Sequence, residues 1–175
     1  MTADLTIRET TASEKIRIAS LYPKAFPDED LLPLVLALLD ERQGVLSLAG
    51  YRAEGLVAHG LFTPCGVERC DGTGALLGPV GVLPSLQRLG LGGALIRAGL
   101  EQMTRRGVHQ VFVLGDPGYY RRFGFEPERG VIAPYPLPEA WADAWQSVTL
   151  AGRSPLAEGH LSVPAPWMEP ALWGP

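Results

Sequence analysis

Residues 80–96, which read Val-Gly-Val-Leu-Pro-Ser-Leu-Gln-Arg-Leu-Gly-Leu-Gly-Gly-Ala-Leu-Ile, constrain this chain more than any other stretch. Residues 75–83 are apolar and follow Gly72 and Gly74, which predicts a buried strand. Residues 92–106 carry a helical pattern, with Ile96, Leu100 and Met103 at i, i+4 and i+7 on one face. The turn between them holds Gln87, Arg88, Gly90, Gly92 and Gly93. A strand, a glycine turn and a helix start together make an anion site. The first N–H groups of a helix lack intrahelical partners, and the helix dipole adds partial positive charge there. Glycines let a phosphate reach that backbone with no Cβ in the way.

Three phosphate-binding patterns compete for this loop. A P-loop ends in Gly-Lys-Ser/Thr, and Gly92-Gly93-Ala94 has neither the lysine nor the hydroxyl. A dinucleotide fingerprint is G-x-G-x-x-G, and after Gly90 and Gly92 the third glycine is missing, since Leu95 stands there. The third pattern, Q/R-x-x-G-x-G/A, is met by Gln87, Gly90 and Gly92. It resembles the acyl-CoA pyrophosphate loop of the GNAT acetyltransferase superfamily. The loop alone equally suits an ordinary strand–helix connection with glycines for tight packing.

A second motif separates those readings. Residues 111–114 are β-branched and aromatic, a strand signal, and Asp116-Pro117 reads as a helix N-cap followed by proline at the first helical position. The short helix that follows ends near Gly124. Tyr120-Arg121-Arg122-Phe123-Gly124-Phe125 is similar to the Tyr-x-x-x-Gly-Phe element of GNAT proteins, and residues 115–125 resemble a bacterial subfamily signature, Gly-Asp-Pro-x-Tyr-Tyr-x-Arg-Phe-Gly-Phe. Two motifs in the family's order, one helix and one turn apart, are far more specific than either alone. The resemblance is strongest over residues 75–130, looser over 4–75 and weak after 135.

The resemblance implies an α/β fold in one domain spanning 1–175: a mixed sheet of six or seven strands, helices on both faces, and a splayed central strand pair that takes the pantetheine arm. It implies an acetyl-CoA-dependent N-acetyltransferase acting on a primary amine by direct attack, with no metal. Backbone groups of Val80, Gly81 and Val82 would pair with pantetheine, and an N–H near Val80 would polarise the acetyl carbonyl. The pyrophosphate would rest on the loop of Gln87, Arg88, Leu89, Gly90 and Leu91 and on the helix start at Gly92, Gly93 and Ala94. Tyr119, Tyr120 and Phe123 complete the expected cofactor contacts, with Tyr120 as proton donor to the CoA sulfur. Many family members carry a glutamate base on the central strand, but residues 75–83 hold no carboxylate. That departure leaves Glu68, Glu29 and Asp116 as candidate bases, with Asp116 equally a helix cap. It also gives weight to an alternative, an acyl-CoA-binding sensor or assembly protein that keeps the fold without turnover. By the same resemblance Phe26, Glu29 and Asp30 would approach the acceptor, which is a small-molecule amine or a protein or peptide amine; a homodimer is also compatible.

Composition narrows the function further. The 175 residues suffice for a full core, and a net charge of −4 argues against bulk binding to nucleic acid. No apolar run approaches the ~18 residues a membrane span needs, and the N-terminus lacks the basic-then-apolar pattern of a secretory signal. A cytoplasmic protein with no membrane partner is the expectation. Cys65 and Cys70 are not in C-x-x-C spacing and have no histidine pair nearby, so two reduced thiols are expected.

The remaining chain is read as a strand at 4–9, a helix around Ile16–Leu21 closed by Pro23 and Pro27, and a second helix over 28–39. A cap at Ser13 is only an imperfect match. A hairpin covers 45–51 and 56–67. Residues 142–150 suit a strand or a helix, 161–163 a short strand, and the tail with Trp167 and Trp173 is too apolar to hang free. It packs on its own domain or on a partner chain.

Overall fold

The computed structural model describes residues 4–41 and 43–175. Its elements alternate as expected from the two periodicities: strand β1 (Thr6–Glu9), helices α1 (Lys15–Ala25) and α2 (Leu32–Asp40), strands β2 (Leu46–Arg52), β3 (Gly55–Val67) and β4 (Gly74–Val82), helix α3 (Leu91–Arg105), strand β5 (Gln110–Leu114) and helix α4 (Pro117–Tyr120). Among the described residues six further segments are 3-10 turns, and four short strands follow: β6 (Glu126–Pro127), β7 (Val131–Ile132), β8 (Trp145–Thr149) and β9 (Gly159–Ser162). The count of nine strands exceeds the expected six or seven because β6 and β7 are two-residue pairings, too short to leave an alternating pattern.

The chain groups into two compact units, residues 4–62 with 78–99, and 63–77 with 100–175. In the first, the order is β1-β2-β3-β4, with β1 and β2 antiparallel from Thr6 opposite Tyr51 to Glu9 opposite Leu48. The core is Ile18, Leu21 and Tyr22 of α1, Leu34, Val35 and Leu38 of α2, and Leu46, Leu48, Val57 and Leu61 of the strands. Helix α3 lies close on β3 because two glycines allow it. A Cβ at Gly60 would stand 2.6 Å from Leu95 Cδ2, and one at Gly99 would collide with the Phe62 ring. The buried row on α3 is Leu91, Leu95, Ile96 and Met103; Leu100, expected on the same face as Ile96, is only half-buried.

In the second unit the order is β4-β5-β8-β6. Parallel β4 and β5 pair over three positions, from Gly74 with Gln110 to Leu76 with Phe112, while β4 runs on to Val82. Antiparallel β8 covers the whole of β5. Of residues 142–150, expected as a strand or a helix, Trp145–Thr149 form the strand after a turn over 142–144, and Trp145 stacks on Phe112 with ring centroids 5.6 Å apart. The tail packs on its own unit. Trp173 is 1% exposed, lies edge-on to Trp145 and donates from Nε1 to the Trp167 carbonyl at 2.9 Å, and Trp167 Nε1 donates to Thr63 Oγ1 at 3.2 Å. Each indole is buried with its polar end satisfied, as large aromatic side chains require. Gln110, also buried, donates to Glu128 and Ser147 and accepts the Leu156 N–H, so one amide ties three segments.

Three boundaries differ from the expectation. Helix α2 begins at Leu32 rather than at 28, with Leu31 at its N-cap position. Helix α1 continues through Pro23 to Ala25, because proline in the last turn removes one hydrogen bond only and the Phe26 N–H still bonds the Tyr22 carbonyl at 2.8 Å. The N-terminal cap is Thr11, two residues before Ser13. Glu14 reaches back to the Thr11 N–H at 2.9 Å, the acidic half of a capping box.

Glu14 does more than cap. It is 6% exposed and accepts from both arms of Arg8, at 2.9 and 3.2 Å, and from the Tyr51 hydroxyl, while the Arg8 guanidinium lies 4.1 Å from the Tyr51 ring centre. The Arg8 hydrogen bonds pull the Glu14 carboxyl from 4.5 down to about 2. A depressed folded-state value means the pair stabilises the fold above the unfolded carboxyl range and loses that contribution as pH falls towards 2. Arg8 is half exposed, so solvent screens part of it. Glu14→Gln is expected to cost about 1–3 kcal/mol at pH 7. Denaturant midpoints should show the gap to the wild type closing between pH 4.5 and 2.

Candidate functional site

The loop singled out in the sequence is built in the first unit, at the end of β4. The chain leaves β4 with the Leu83 N–H on the Val57 carbonyl at 2.9 Å, makes a 3-10 turn over Pro84–Leu86, and then folds back. Arg88 has φ +65° and Gly90 φ +82°, both left-handed. That conformation is ordinary for Gly90 and uncommon for an arginine, and it marks a turn held in one shape. Gln87 holds it: its side-chain Nε2 donates to the Val82 carbonyl at 3.2 Å, tying the turn to the strand end. The first hydrogen bond inside α3 runs from the Ala94 N–H to the Gly90 carbonyl at 3.0 Å. The amides of Leu91, Gly92 and Gly93 therefore precede any intrahelical acceptor. Leu91, Gly92 and Gly93 are buried, whereas Gln87, Arg88, Leu89 and Gly90 face solvent. Such a turn suits an anionic group approaching from outside.

Behind Val80, Gly81 and Val82 lies the end of α1. A Cβ on Gly81 would touch Ala25, Phe26 and Tyr22 at 3.4–3.6 Å. Nearby, Tyr22, Phe26, Asp28, Glu29 and Asp30 line a cleft of about 380 Å³ within the same unit. Glu29 is exposed at its mouth, and the three consecutive acids make that mouth negative.

The second unit carries the tyrosine motif as expected. Asp116 caps α4 by accepting the Gly118 N–H at 2.9 Å, so its carboxylate is occupied in the way the cap reading required. One α-helical turn and a 3-10 turn over Arg121–Phe123 follow, ended by Gly124 at φ +88°. Tyr119, Tyr120 and Phe123 form one cluster, with Tyr120 edge-on to Tyr119 at 5.1 Å and to Phe125 at 5.7 Å. Burial, with smaller contributions from Tyr119 and Asp116, pushes the Tyr120 phenol up, so it stays protonated through the neutral range and is a donor. Glu68 stands exposed in the turn after β3, between Val67 and a left-handed Arg69. Glu29 and Glu68 thus belong to different units, and they do not form a carboxylate pair within either one.

Burial pushes the Cys65 thiol up, away from thiolate, and both cysteines are free. A buried, protonated thiol is a poor nucleophile. Among the described residues no cluster of three His, Cys, Asp or Glu side chains gathers to hold a metal, and no helix is long and apolar enough to cross a membrane.

Three features of these two regions escape the sequence reading. Gly115 has no role there beyond its place in the signature, yet a Cβ on it would collide with the Tyr120 ring. Gln87 is committed to a backbone carbonyl rather than left free. His59, one of three scattered histidines in the sequence, is fully buried and hydrogen-bonded to Tyr22.

Comparison with known proteins agrees with this geometry. The sequence model of the acetyltransferase (GNAT) family matches residues 14–125. A curated relative, the N-acetyltransferase YjhQ of Escherichia coli K12, is 35% identical over 164 residues, covering 89% of this chain and 90% of the relative. Among solved structures, a GNAT family acetyltransferase from Brucella melitensis in complex with acetyl-CoA has a TM-score of 0.75 at 28% identity, over 93% of this chain and 97% of that one. The YhbS N-acetyltransferase of Escherichia coli in complex with CoA shares the fold with a TM-score of 0.82, at 24% identity and with 95% and 93% coverage. This chain belongs to the GNAT acetyltransferase family.

Gly115→Ala tests the packing of the tyrosine motif. The added methyl must drive the Tyr120 ring off its contact with Phe125, so Tyr120 ring resonances should shift in an NMR spectrum while those of Tyr22 hold. Unchanged Tyr120 resonances would show that the glycine serves only the backbone.

Proposed function

We propose that this protein transfers the acetyl group of acetyl-CoA to a primary amine. The observation that carries the reading is the turn before α3. Left-handed Arg88 and Gly90 fold it back, and it leads into three amides with no intrahelical acceptor, which fits a pyrophosphate. Leu91, Gly92, Gly93 and their neighbours Arg88, Leu89, Gly90 and Ala94 would hold that group, and the backbone of Val80, Gly81 and Val82 the pantetheine arm. Acetyl-CoA supplies the activated thioester; the residues of this chain bind it, orient it and manage charge and protons.

In this mechanism the Val80 N–H donates to the acetyl oxygen, where negative charge develops as the amine attacks the carbonyl carbon. The C–S bond breaks with its electron pair leaving on sulfur, and Tyr120 donates a hydrogen bond or its proton there. The amine loses its proton to water or a carboxylate. The acids at the mouth of the cleft, Asp28, Glu29 and Asp30, attract an acceptor that arrives as an ammonium ion, so the proposed acceptor class is a cationic amine. Of the three candidate bases, Glu29 lines that cleft, whereas Asp116 is committed to the α4 cap. The exposure of Glu29 favours proton removal through water over a dedicated buried base.

The cofactor half is tested by Gly92→Val. Gly90 is unsuited to the test, because a β-branched residue at φ +82° strains the turn itself. The Gly92 variant should keep its helical circular dichroism and lose acetyl-CoA binding in calorimetry; wild-type affinity would overturn the loop assignment.

The chemical half is tested by Tyr120→Phe on an acceptor found in a panel of cationic amines, followed by free CoA release. Turnover should fall roughly 10- to 1,000-fold with acetyl-CoA affinity little changed, and Tyr119→Phe should be much milder. Full turnover in Tyr120→Phe would leave packing as that residue's role. Acetyl-CoA binding without turnover on any amine would favour a sensor.

A further inference from the structure

Four polar side chains of the first unit form a line that ends on the backbone of β4. Thr10 Oγ1 donates to Ser47 Oγ at 2.7 Å, Ser47 Oγ lies 2.8 Å from His59 Nε2, His59 Nδ1 lies 2.7 Å from the Tyr22 hydroxyl, and that hydroxyl donates to the Pro79 carbonyl at 3.3 Å. His59 and Tyr22 are buried in the core. Burial drives the His59 imidazole down to about 3, so it is neutral, and it drives the Tyr22 phenol up, so it keeps its proton.

A neutral imidazole has one donor and one acceptor nitrogen. With Thr10 donating to Ser47 and the Tyr22 O–H donating to Pro79, one direction runs unbroken: Thr10 to Ser47, Ser47 to Nε2, Nδ1–H to the Tyr22 oxygen, and the Tyr22 O–H to Pro79. In the reverse tautomer Tyr22 donates to Nδ1, Ser47 receives two donors, and the Pro79 carbonyl receives nothing from Tyr22. The line therefore fixes the Nδ1–H tautomer and aims one hydroxyl proton at Pro79.

The Pro79 carbonyl and the Val80 N–H belong to one planar peptide and point in opposite directions. A donor on that carbonyl holds the plane still and draws electron density through it, which makes the N–H on the far side a stronger donor. We propose that Tyr22 and His59 are a positioning pair that orients and strengthens the Val80 N–H as the donor to the acetyl carbonyl. This rests on the assignment of Val80 given above. The pair acts through the peptide plane rather than on the thioester, and His59 is too weak a base to serve as the proton acceptor. It explains why a neutral histidine is buried on β3. The tyrosine hydroxyl stands opposite the one stretch of β4 where a backbone donor has chemistry to do.

The test reads the carbonyl itself and needs no acceptor. Infrared difference spectra with acetyl-CoA carrying ¹³C at the thioester carbonyl are recorded on the wild type and on Tyr22→Phe, with calorimetry alongside. In the wild type the band should move to lower frequency than in free acetyl-CoA. In Tyr22→Phe it should return most of the way while acetyl-CoA affinity stays unchanged, a split that general loosening of the core would not produce. A band equally shifted in both proteins overturns the positioning role. Absence of acetyl-CoA binding, or of any shift, in the wild type overturns the cofactor or Val80 assignment and the positioning role with it. Where Tyr22→Phe does not fold, ¹⁵N shifts of His59 in the wild type decide: the Nδ1–H tautomer supports the line, and the Nε2–H tautomer overturns it. Ser47→Ala, which frees the ring to change tautomer, should move the carbonyl band in the same direction as Tyr22→Phe.

Discussion

A helix that begins with amides lacking intrahelical acceptors must find acceptors for them elsewhere, and the reading proposed above gives α3 a pyrophosphate for that purpose. Leu91, Gly92 and Gly93 are buried on their side-chain faces, while the turn ahead of them is open to solvent. Several unrelated choices in the first unit follow from that one constraint. Gly60 and Gly99 let α3 lie flat on β3, which fixes where the helix starts. Arg88 accepts a left-handed backbone, and Gln87 gives up its side chain to the Val82 carbonyl, so that the turn does not relax. A looser loop would hydrate its own amides and lose them as a preorganised site.

The second unit answers a different demand, which is to hold a short helix rigid. Helix α4 is a single turn and cannot be stable alone. Its support is local: the hydrogen bond of the Asp116 cap, Pro117 at the first helical position, the left-handed stop at Gly124, and an aromatic ring packed against Gly115. Strand β5, which leads into it, is paired along its length with β8, and β8 is backed in turn by the stack of Phe112, Trp145 and Trp173. The proline-rich tail is thus part of the core of its unit, and two residues near the end of the chain help fix the strand that carries the tyrosine motif.

How much of this was legible in the sequence depended on whether the signal was local. The helix face of α3, the strand–turn–helix around Gly90, the cap at Asp116 and the stop at Gly124 are all written within a few residues, and the structure has each of them. Leu100 was misplaced because a 15-residue helix drifts relative to any three chosen positions. Pro23 was given too much weight because its cost depends on its distance from the helix end, which the sequence does not mark. Strands β6 and β7 are held by Gln110, Ser147 and Glu128 across long sequence separations, and no periodicity in two residues announces that. The Tyr22–His59 pairing was invisible for the same reason, since 37 residues separate its partners.

The two tyrosines set the last step of the argument. Burial raises both phenols, so each keeps its proton at neutral pH and has one to donate. What separates them is where the proton is directed. Tyr22 has His59 behind it and the Pro79 carbonyl in front, so its hydrogen bond is spent inside the protein and its influence passes through a peptide plane. Tyr120 has only rings around it, and its hydroxyl has no hydrogen-bond partner among the described residues. An unpartnered donor on a rigid turn suits a charge that exists only for a moment, such as that on a departing sulfur, because nothing has to be broken before it can respond. A partnered donor suits a group that must never move. On the roles proposed above, the same side chain would serve as proton source in one unit and as scaffold in the other, and its neighbours would make the difference.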